Sequence, residues 1–184
     1  GDVSGKGIPA SLVMAVTCRL FRSVSSHCDK PEDIITSLNN SLSDGNEFNM
    51  FCTAFIGILD LKTGHLDYCN AGHNAPLVIN SKGQVSEVDV IPNLPLGLFE
   101  GFKYEGQEME LDKQMMLYMF TDGVTEAENS AHDLFGDERL TTLLKLKASL
   151  NPAELINETF THVNQHANGA EQSDDITVMC FKYC

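Results

Sequence analysis

The stretch FCTAFIGILDLKTGHLDYCNAGHNAPLVIN, residues 51–80, limits the possible folds more than any other part of the chain. It is dense in aromatic and branched residues, and KTG at 62–64 breaks it as a hairpin turn would. HLDYCNAGH and APLVIN read as further strands, SKG as a turn, and QVSEVDV as one more strand. KYEGQEMEL and QMMLYMF read as a strand pair around Asp112 and Lys113, and DDITVMCFKYC closes the chain as a strand. Helical patterns lie to either side. Pro9 suits a first helical turn, and residues 10–26 place Leu12, Val13, Val16, Leu20 and Val24 at helical spacing, as in a buried helix. A second helix is expected at 31–42, with Ile34, Ile35 and Leu38 on one face. SDGNEFN (43–49) and IPNLPLGLFEG (91–101) read as loops. DERLTTLLKLKA and PAELINETFTHVNQHA are helical, the latter capped by Asn151. Consecutive hairpins with helices grouped at both ends predict an α+β fold with antiparallel sheet, not alternating βαβ units.

The 184 residues suit a single domain with one buried core. No apolar run approaches the roughly 18 uncharged residues of a membrane span; the best, ASLVMAVTCRLF, is broken by Arg19. The chain starts inside a motif and without Met, which reads as the C-terminal part of a longer chain. With 26 acidic against 12 basic residues, its charge of −14 argues against nucleic acid as a partner. Six cysteines form no Cys-x-x-Cys pair, and Cys18, Cys52 and Cys180 lie in apolar stretches where a thiol behaves as a small hydrophobe. Reduced thiols and a cytoplasmic location are the expectation.

The opening GDVSGKGIPA has the look of a phosphate-binding turn before a helix, yet it fails as a Walker loop. That motif needs four residues before its Gly-Lys and a Ser or Thr after it. Here three residues separate Gly1 from Gly5, and Gly7 follows Lys6. Three acidic positions share a more informative context. Asp2 lies in the opening turn, Asp122 directly after an apolar strand, and Asp174 with Asp175 directly before another. Carboxylates at strand ends can converge from distant positions, and oxygen-only clusters suit magnesium or manganese. Taken singly, each reads better as a turn or strand-end carboxylate.

Their wording carries more weight. GDVSGKGIPASLVM, FCTAFIGILDLKTGHLDYCNAGHNAPLVI, LPLGLF, YMFTDGVTEAEN and QSDDITVMCF follow in the order found in bacterial SpoIIE/RsbU-like phosphatases. This chain resembles that branch of the metal-dependent PPM superfamily, related to protein phosphatase 2C, from residue 1 to about 181. The resemblance implies an α+β, PPM-type α-β-β-α sandwich of two mainly antiparallel sheets flanked by helices, here lacking its N-terminal strands. It implies a manganese- or magnesium-dependent protein serine/threonine phosphatase with two ions per complete site. Asp2 would bridge the ions, the Val3 carbonyl would face one, and Asp122 and Asp174 would complete the carboxylate set; Asp175 would support them. Metal-bound hydroxide would attack phosphorus directly, so no cysteine serves as nucleophile. The family places another acidic residue upstream, in a segment resembling Gly-Asp-Phe-Tyr-Asp that precedes residue 1. The implied partner is a phosphorylated regulatory protein, an anti-sigma-factor antagonist in partner switching. The same resemblance allows a homodimer and an upstream sensor or response-regulator domain. The rival function is a non-catalytic, pseudophosphatase-like binding module, which would have no chemical need for Asp2, Asp122 and Asp174.

Other residues read more plainly. His73 in NAGHN fits a turn or core imidazole satisfied by backbone better than a substrate-side group. His162 and His166 lie one helical turn apart without the Glu of a zinc-protease motif and read as solvent-facing. Met115, Met116 and Met119 suit packing, and Glu126 and Glu128 a solvated loop. The first helix, through its packing, could set where Asp2 points.

Overall fold

The computed structural model describes residues 1–46, 49–172 and 174–184. The loop expected at 43–49 lies partly on Glu47 and Phe48, outside the described residues. Two compact units emerge, one from residues 1–73 and 90–110, the other from 74–89 and 111–184.

The first unit holds β1 (Asp2–Val3), α1 (Ile8–Val24), α2 (Pro31–Ser43), β2 (Cys52–Leu59), β3 (His65–Ala71) and β6 (Gln107–Glu110). Its sheet order is β1-β2-β3-β6, antiparallel throughout. The β2–β3 hairpin closes where the Asp60 carbonyl accepts from Gly64 N–H at 2.8 Å, while the Asp60 carboxylate accepts from Lys62 N–H at 2.8 Å. Gly64 there takes φ 86°, a conformation that favours glycine. Ile34, Ile35 and Leu38 of α2 pack on Val3, Cys52, Cys69 and Ala71, as the sequence predicts. Loop 91–101 is irregular and is held by buried amides. Asn39 of α2 donates to the Phe99 carbonyl at 2.8 Å and accepts from Gly97 N–H at 3.0 Å. Cys52 and Leu96 exchange main-chain bonds of 3.0 and 2.8 Å.

The second unit holds β4 (Leu77–Ile79), β5 (Val85–Glu87), β7 (Met116–Phe120), α3 (Gly136–Leu146), α4 (Pro152–Ala167) and β8 (Val178–Lys182), with sheet order β5-β4-β7-β8. Ile79, Tyr118, Val124, Leu140, Leu144, Leu155 and Val163 form its core. Tyr118, fully buried, donates its hydroxyl to Thr159 Oγ1 at 2.9 Å, so the ring packs without stranding its polar end. Asn151 caps α4 as expected, in a reciprocal box with Glu154 at 3.0 and 3.1 Å.

Three expectations need correction. The strands around 103–111 and 114–120 do not pair with each other: β6 pairs with β3, and β7 pairs with β4 and β8. The turn between them centres on Lys113 and Gln114, one residue later than expected. Helix α1 is not a buried helix. Only its Thr17 is buried, and Leu12 and Val16 are 62% and 51% exposed, because the packed face runs through Val13, Leu20 and Val24. Cys18 on the same helix is exposed as well, whereas Cys52 is buried and Cys180 half-buried. All six cysteines are free.

Candidate active site

Asp122 and Asp174 come together through the β7–β8 pair. The ladder runs past the strand ends, with Thr121 N–H donating to the Thr177 carbonyl at 3.1 Å and Thr177 N–H to Thr121 Oγ1 at 3.0 Å. The Thr121 hydroxyl then donates to the Asp175 carbonyl at 3.0 Å. One buried hydroxyl therefore ties the residue before Asp122 to the residue after Asp174. Gly123 completes the junction. A Cβ there would collide with the Asp175 carbonyl oxygen and lie 3.4 Å from that of Asp174. Only glycine lets these two backbones approach so closely. Asp122 turns the chain away, its carbonyl accepting from Glu126 N–H at 2.7 Å. The Asp174 carboxylate accepts from Asp175 N–H at 2.8 Å, and Asp175 itself is exposed.

The Asp122 carboxylate carries the unusual feature. Its Oδ1 is buried and has no hydrogen-bond partner among the described residues. A buried acceptor left unsatisfied costs about 1–3 kcal/mol, more when charged, and native proteins retain few of them. A cation bound by this oxygen resolves the cost, and carboxylate oxygens suit magnesium or manganese. The donor set at this strand end thus fits the implied metal.

Asp2 and Val3 lie in the first unit, on a strand of two residues. Asp2 pairs with Thr53 and Val3 with Cys52. Beyond β1, Ser4 N–H donates to the Phe51 carbonyl at 2.8 Å and Phe51 N–H returns to Ser4 Oγ at 2.9 Å. Gly5 and Gly7 take positive φ, which lets the chain turn from β1 into α1 within four residues. Asp2 is half-buried and Lys6 exposed. Next to Asp2, Thr53 Oγ1 lies 3.4 Å from the Asp2 carbonyl and 2.9 Å from His73 Nδ1. His73 is buried, as the core reading requires, and burial pushes its imidazole down to about 4.

The side chains of the remaining sequence candidates make other contacts. His162 and His166 are partly exposed, and each also meets a backbone carbonyl: His162 Nδ1 that of Glu158 at 2.9 Å, and His166 Nε2 that of Asp133 at 2.9 Å. Met116 is buried and Met115 and Met119 half-buried, as packing residues. Glu126 is exposed, and Glu128 bonds His132 at 2.6 Å. His65, Asp67 and Glu108 bring ligand atoms within 4.8 Å of one another. Both His65 nitrogens there already face carboxylates, with Glu110 at 2.6 Å and Asp67 at 3.3 Å, so the group reads as surface ion pairing. Thr121 and Thr53, which hold the acid-bearing segments, escaped the sequence reading. Their only signal was a hydroxyl residue beside a strand-end acid or in a strand.

The family model of stage II sporulation protein E (SpoIIE) matches residues 1–183, and the chain belongs to that family. It is 27% identical to protein IcfG of Synechocystis over 206 residues, covering 97% of this chain and 32% of that protein. It is 29% identical to the phosphoserine phosphatase RsbU of Bacillus subtilis over 125 residues, or 68% and 37% of the two chains. The chain thus spans about a third of these relatives. Among solved structures, the SiaA-PP2C domain of Pseudomonas aeruginosa superposes with a TM-score of 0.85 at 20% identity, over 99% of this chain and 73% of that one. The PP2C phosphatase domain of SpoIIE from Bacillus subtilis, solved with a fragment of its regulatory domain, gives 0.78 at 23% identity, over 97% and 51%. RsbX in complex with magnesium gives 0.65 at 18% identity, over 96% and 75%. The fold is that of the PPM protein phosphatases, here as two antiparallel sheets and four helices among the described residues.

Proposed function

We propose that this chain is the catalytic domain of a metal-dependent phosphatase that removes phosphate from serine or threonine of a regulatory protein. The buried, unpartnered Asp122 Oδ1, on a backbone that Thr121 and Gly123 bring against that of Asp174 and Asp175, carries this reading. By the family resemblance, Asp2, the Val3 carbonyl, Asp122 and Asp174 are the residues that would hold manganese or magnesium. Such ions, when bound, activate water and neutralise phosphoryl charge. Thr121 and Gly123 fix the backbone on either side of Asp122 against that of Asp174 and Asp175. Magnesium in the fold relative RsbX supports the metal, and the name of RsbU supports the substrate class.

The buried thiols agree with hydrolysis that forms no covalent enzyme intermediate. Burial pushes Cys52 and Cys180 up to about 11 and Cys69 to about 12, so none is a ready thiolate. The net charge of −14 disfavours nucleic acid as substrate and leaves a phosphoprotein as the better fit. A phosphorylated anti-sigma-factor antagonist is the specific substrate we put forward, within bacterial partner switching. No helix among the described residues is long and apolar enough to cross a membrane.

The test is turnover of p-nitrophenyl phosphate by full-length protein with and without manganese, for wild type and Asp122→Asn. Manganese-dependent turnover should be nearly abolished in the variant, while its metal-free melting temperature stays level or rises because one buried charge is gone. Near-normal activity of Asp122→Asn at saturating manganese would remove Asp122 from the site. Wild-type protein without any turnover would favour the binding module.

A further inference from the structure

His73 is built into its position more firmly than a space-filling imidazole requires. The Asn70 side chain clamps its backbone from both sides, donating to the His73 carbonyl at 2.9 Å and accepting from His73 N–H at 3.1 Å. Asn93 fixes Asn70 in turn, donating to its carbonyl at 3.0 Å. Gly72 takes φ 70°, and a Cβ there would sit 2.9 Å from Pro95 Cγ, so only glycine fits this turn. Asn70, His73 and Asn93 are 5%, 9% and 9% exposed. Buried polar groups of this kind hold a unique geometry when they are satisfied. The geometry delivered here is the contact of His73 Nδ1 with Thr53 Oγ1 at 2.9 Å.

Thr53 is the register partner of Asp2, and its hydroxyl also reaches the Asp2 carbonyl at 3.4 Å. A hydroxyl has one proton to give. If Thr53 donates to the Asp2 carbonyl, the bond from His73 must come from an Nδ1–H, and the imidazole is the neutral Nδ1-protonated tautomer. Burial keeps the ring neutral near pH 7, consistent with that assignment. Strand β1 has two residues and its own ladder is short, so side-chain bonds carry an unusual share of its orientation.

We propose that His73 is a positioning residue: acting through Thr53, it fixes β1 and thereby the aim of the Asp2 carboxylate and Val3 carbonyl toward a metal ion. This rests on the phosphatase reading of Asp2, and it assigns His73 no contact with substrate. Groups that orient metal ligands without touching the metal typically change affinity by roughly 10- to 100-fold when removed.

The experiment measures manganese affinity by titration calorimetry, together with p-nitrophenyl phosphate kinetics, in full-length His73→Ala, His73→Asn, His73→Gln, Thr53→Val and Thr53→Ser. His73→Ala and Thr53→Val should each bind manganese about tenfold more weakly, with kcat falling at subsaturating metal. His73→Asn, whose amide can donate from near the Nδ1 position, and Thr53→Ser should recover most of the affinity. His73→Gln, which reaches toward Nε2 instead, should not. Manganese affinity within twofold of wild type in both His73→Ala and Thr53→Val, even with a lowered melting temperature, would reduce His73 to a structural residue and overturn the proposal. Failure of the phosphatase reading looks different: wild type binds manganese without turnover, and the affinity comparison still decides the role of His73.

Discussion

The two units of this chain solve the problem of a stable interior differently. The second is mainly apolar: Ile79, Leu140, Leu144, Leu155 and Val163 pack around Tyr118, and among the described residues its buried polar ones are Thr121, Thr125 and Thr159. The first buries amides and an imidazole, Asn39, Asn70, Asn93 and His73, all of which bond to backbone or to a neighbouring side chain. The difference follows from what each must hold. The second unit supports strand ends that a regular ladder already aligns. The first supports a two-residue strand, a glycine-rich turn and loop 91–101, whose backbone groups find few partners in the sheet. Buried amides replace those missing ladder bonds. Apolar packing sets the stability of the one unit, and side-chain hydrogen bonds set the shape of the other.

The largest effect that can break this contrast is in the apolar core. Leu144 is fully buried, and Leu144→Ala should cost about 2–5 kcal/mol, the usual range for a leucine truncated in a packed core. Urea denaturation reads it directly. A cost below 1 kcal/mol would mean that the second unit relaxes around the void and is not tightly packed.

The polar unit gives a smaller loss with a sharper signature. Asn39→Ala leaves the Gly97 N–H and Phe99 carbonyl without their partner, at about 1–3 kcal/mol for a buried unsatisfied group. Asn39→Leu, with the same number and branching of side-chain heavy atoms but bulkier and fully apolar, should be no better than alanine, because what is lost belongs to the loop backbone. If leucine restored stability, Asn39 would be filling space, and the contrast between the units would collapse.

How far the sequence discloses this arrangement depends on whether the decisive contact is local. The helices, the first hairpin, the Asn151 cap and the core face of α2 are visible because periodicity, turn residues and capping residues lie within a few positions of one another. Asp122 is visible for the same reason, as an acid after an apolar strand. Gly123 reads as a turn glycine, yet its requirement comes from the Asp175 carbonyl more than fifty residues away. The partners of β6 and β7 are equally non-local, and sequence adjacency suggested the wrong pairing. Periodicity locates α1 but does not tell which of its apolar stripes is covered, and Leu12 and Val16 lie outside the covered one. Thr53, Thr121 and Asn70 carry no local signal at all: a small polar residue within or beside a strand looks the same whether it faces water or orders an acid.

The smallest effect tests whether the polar strategy of the first unit extends to its surface. His65 on β3 faces Glu110 and Glu108 of β6 and Asp67 of its own strand, at 2.6, 3.8 and 3.3 Å. Its bond to Glu110, foremost, raises its pKa above the ordinary imidazole value; desolvation, next in size, lowers it, and the charge of Asp67 adds to the rise. The folded state therefore holds the proton more tightly than the unfolded chain. The resulting stabilisation is fully present below the unfolded value of about 6.5 and is lost as pH rises through the higher folded value. The group is solvent-exposed, so the effect should be modest and screened by salt. Comparing urea midpoints of wild type and His65→Gln from pH 5.5 to 9 isolates it. The advantage of wild type should shrink as pH rises and be smaller in 0.5 M salt. An advantage that stays constant with pH, or grows, would show that the cross-strand cluster contributes through packing and not through the imidazolium charge.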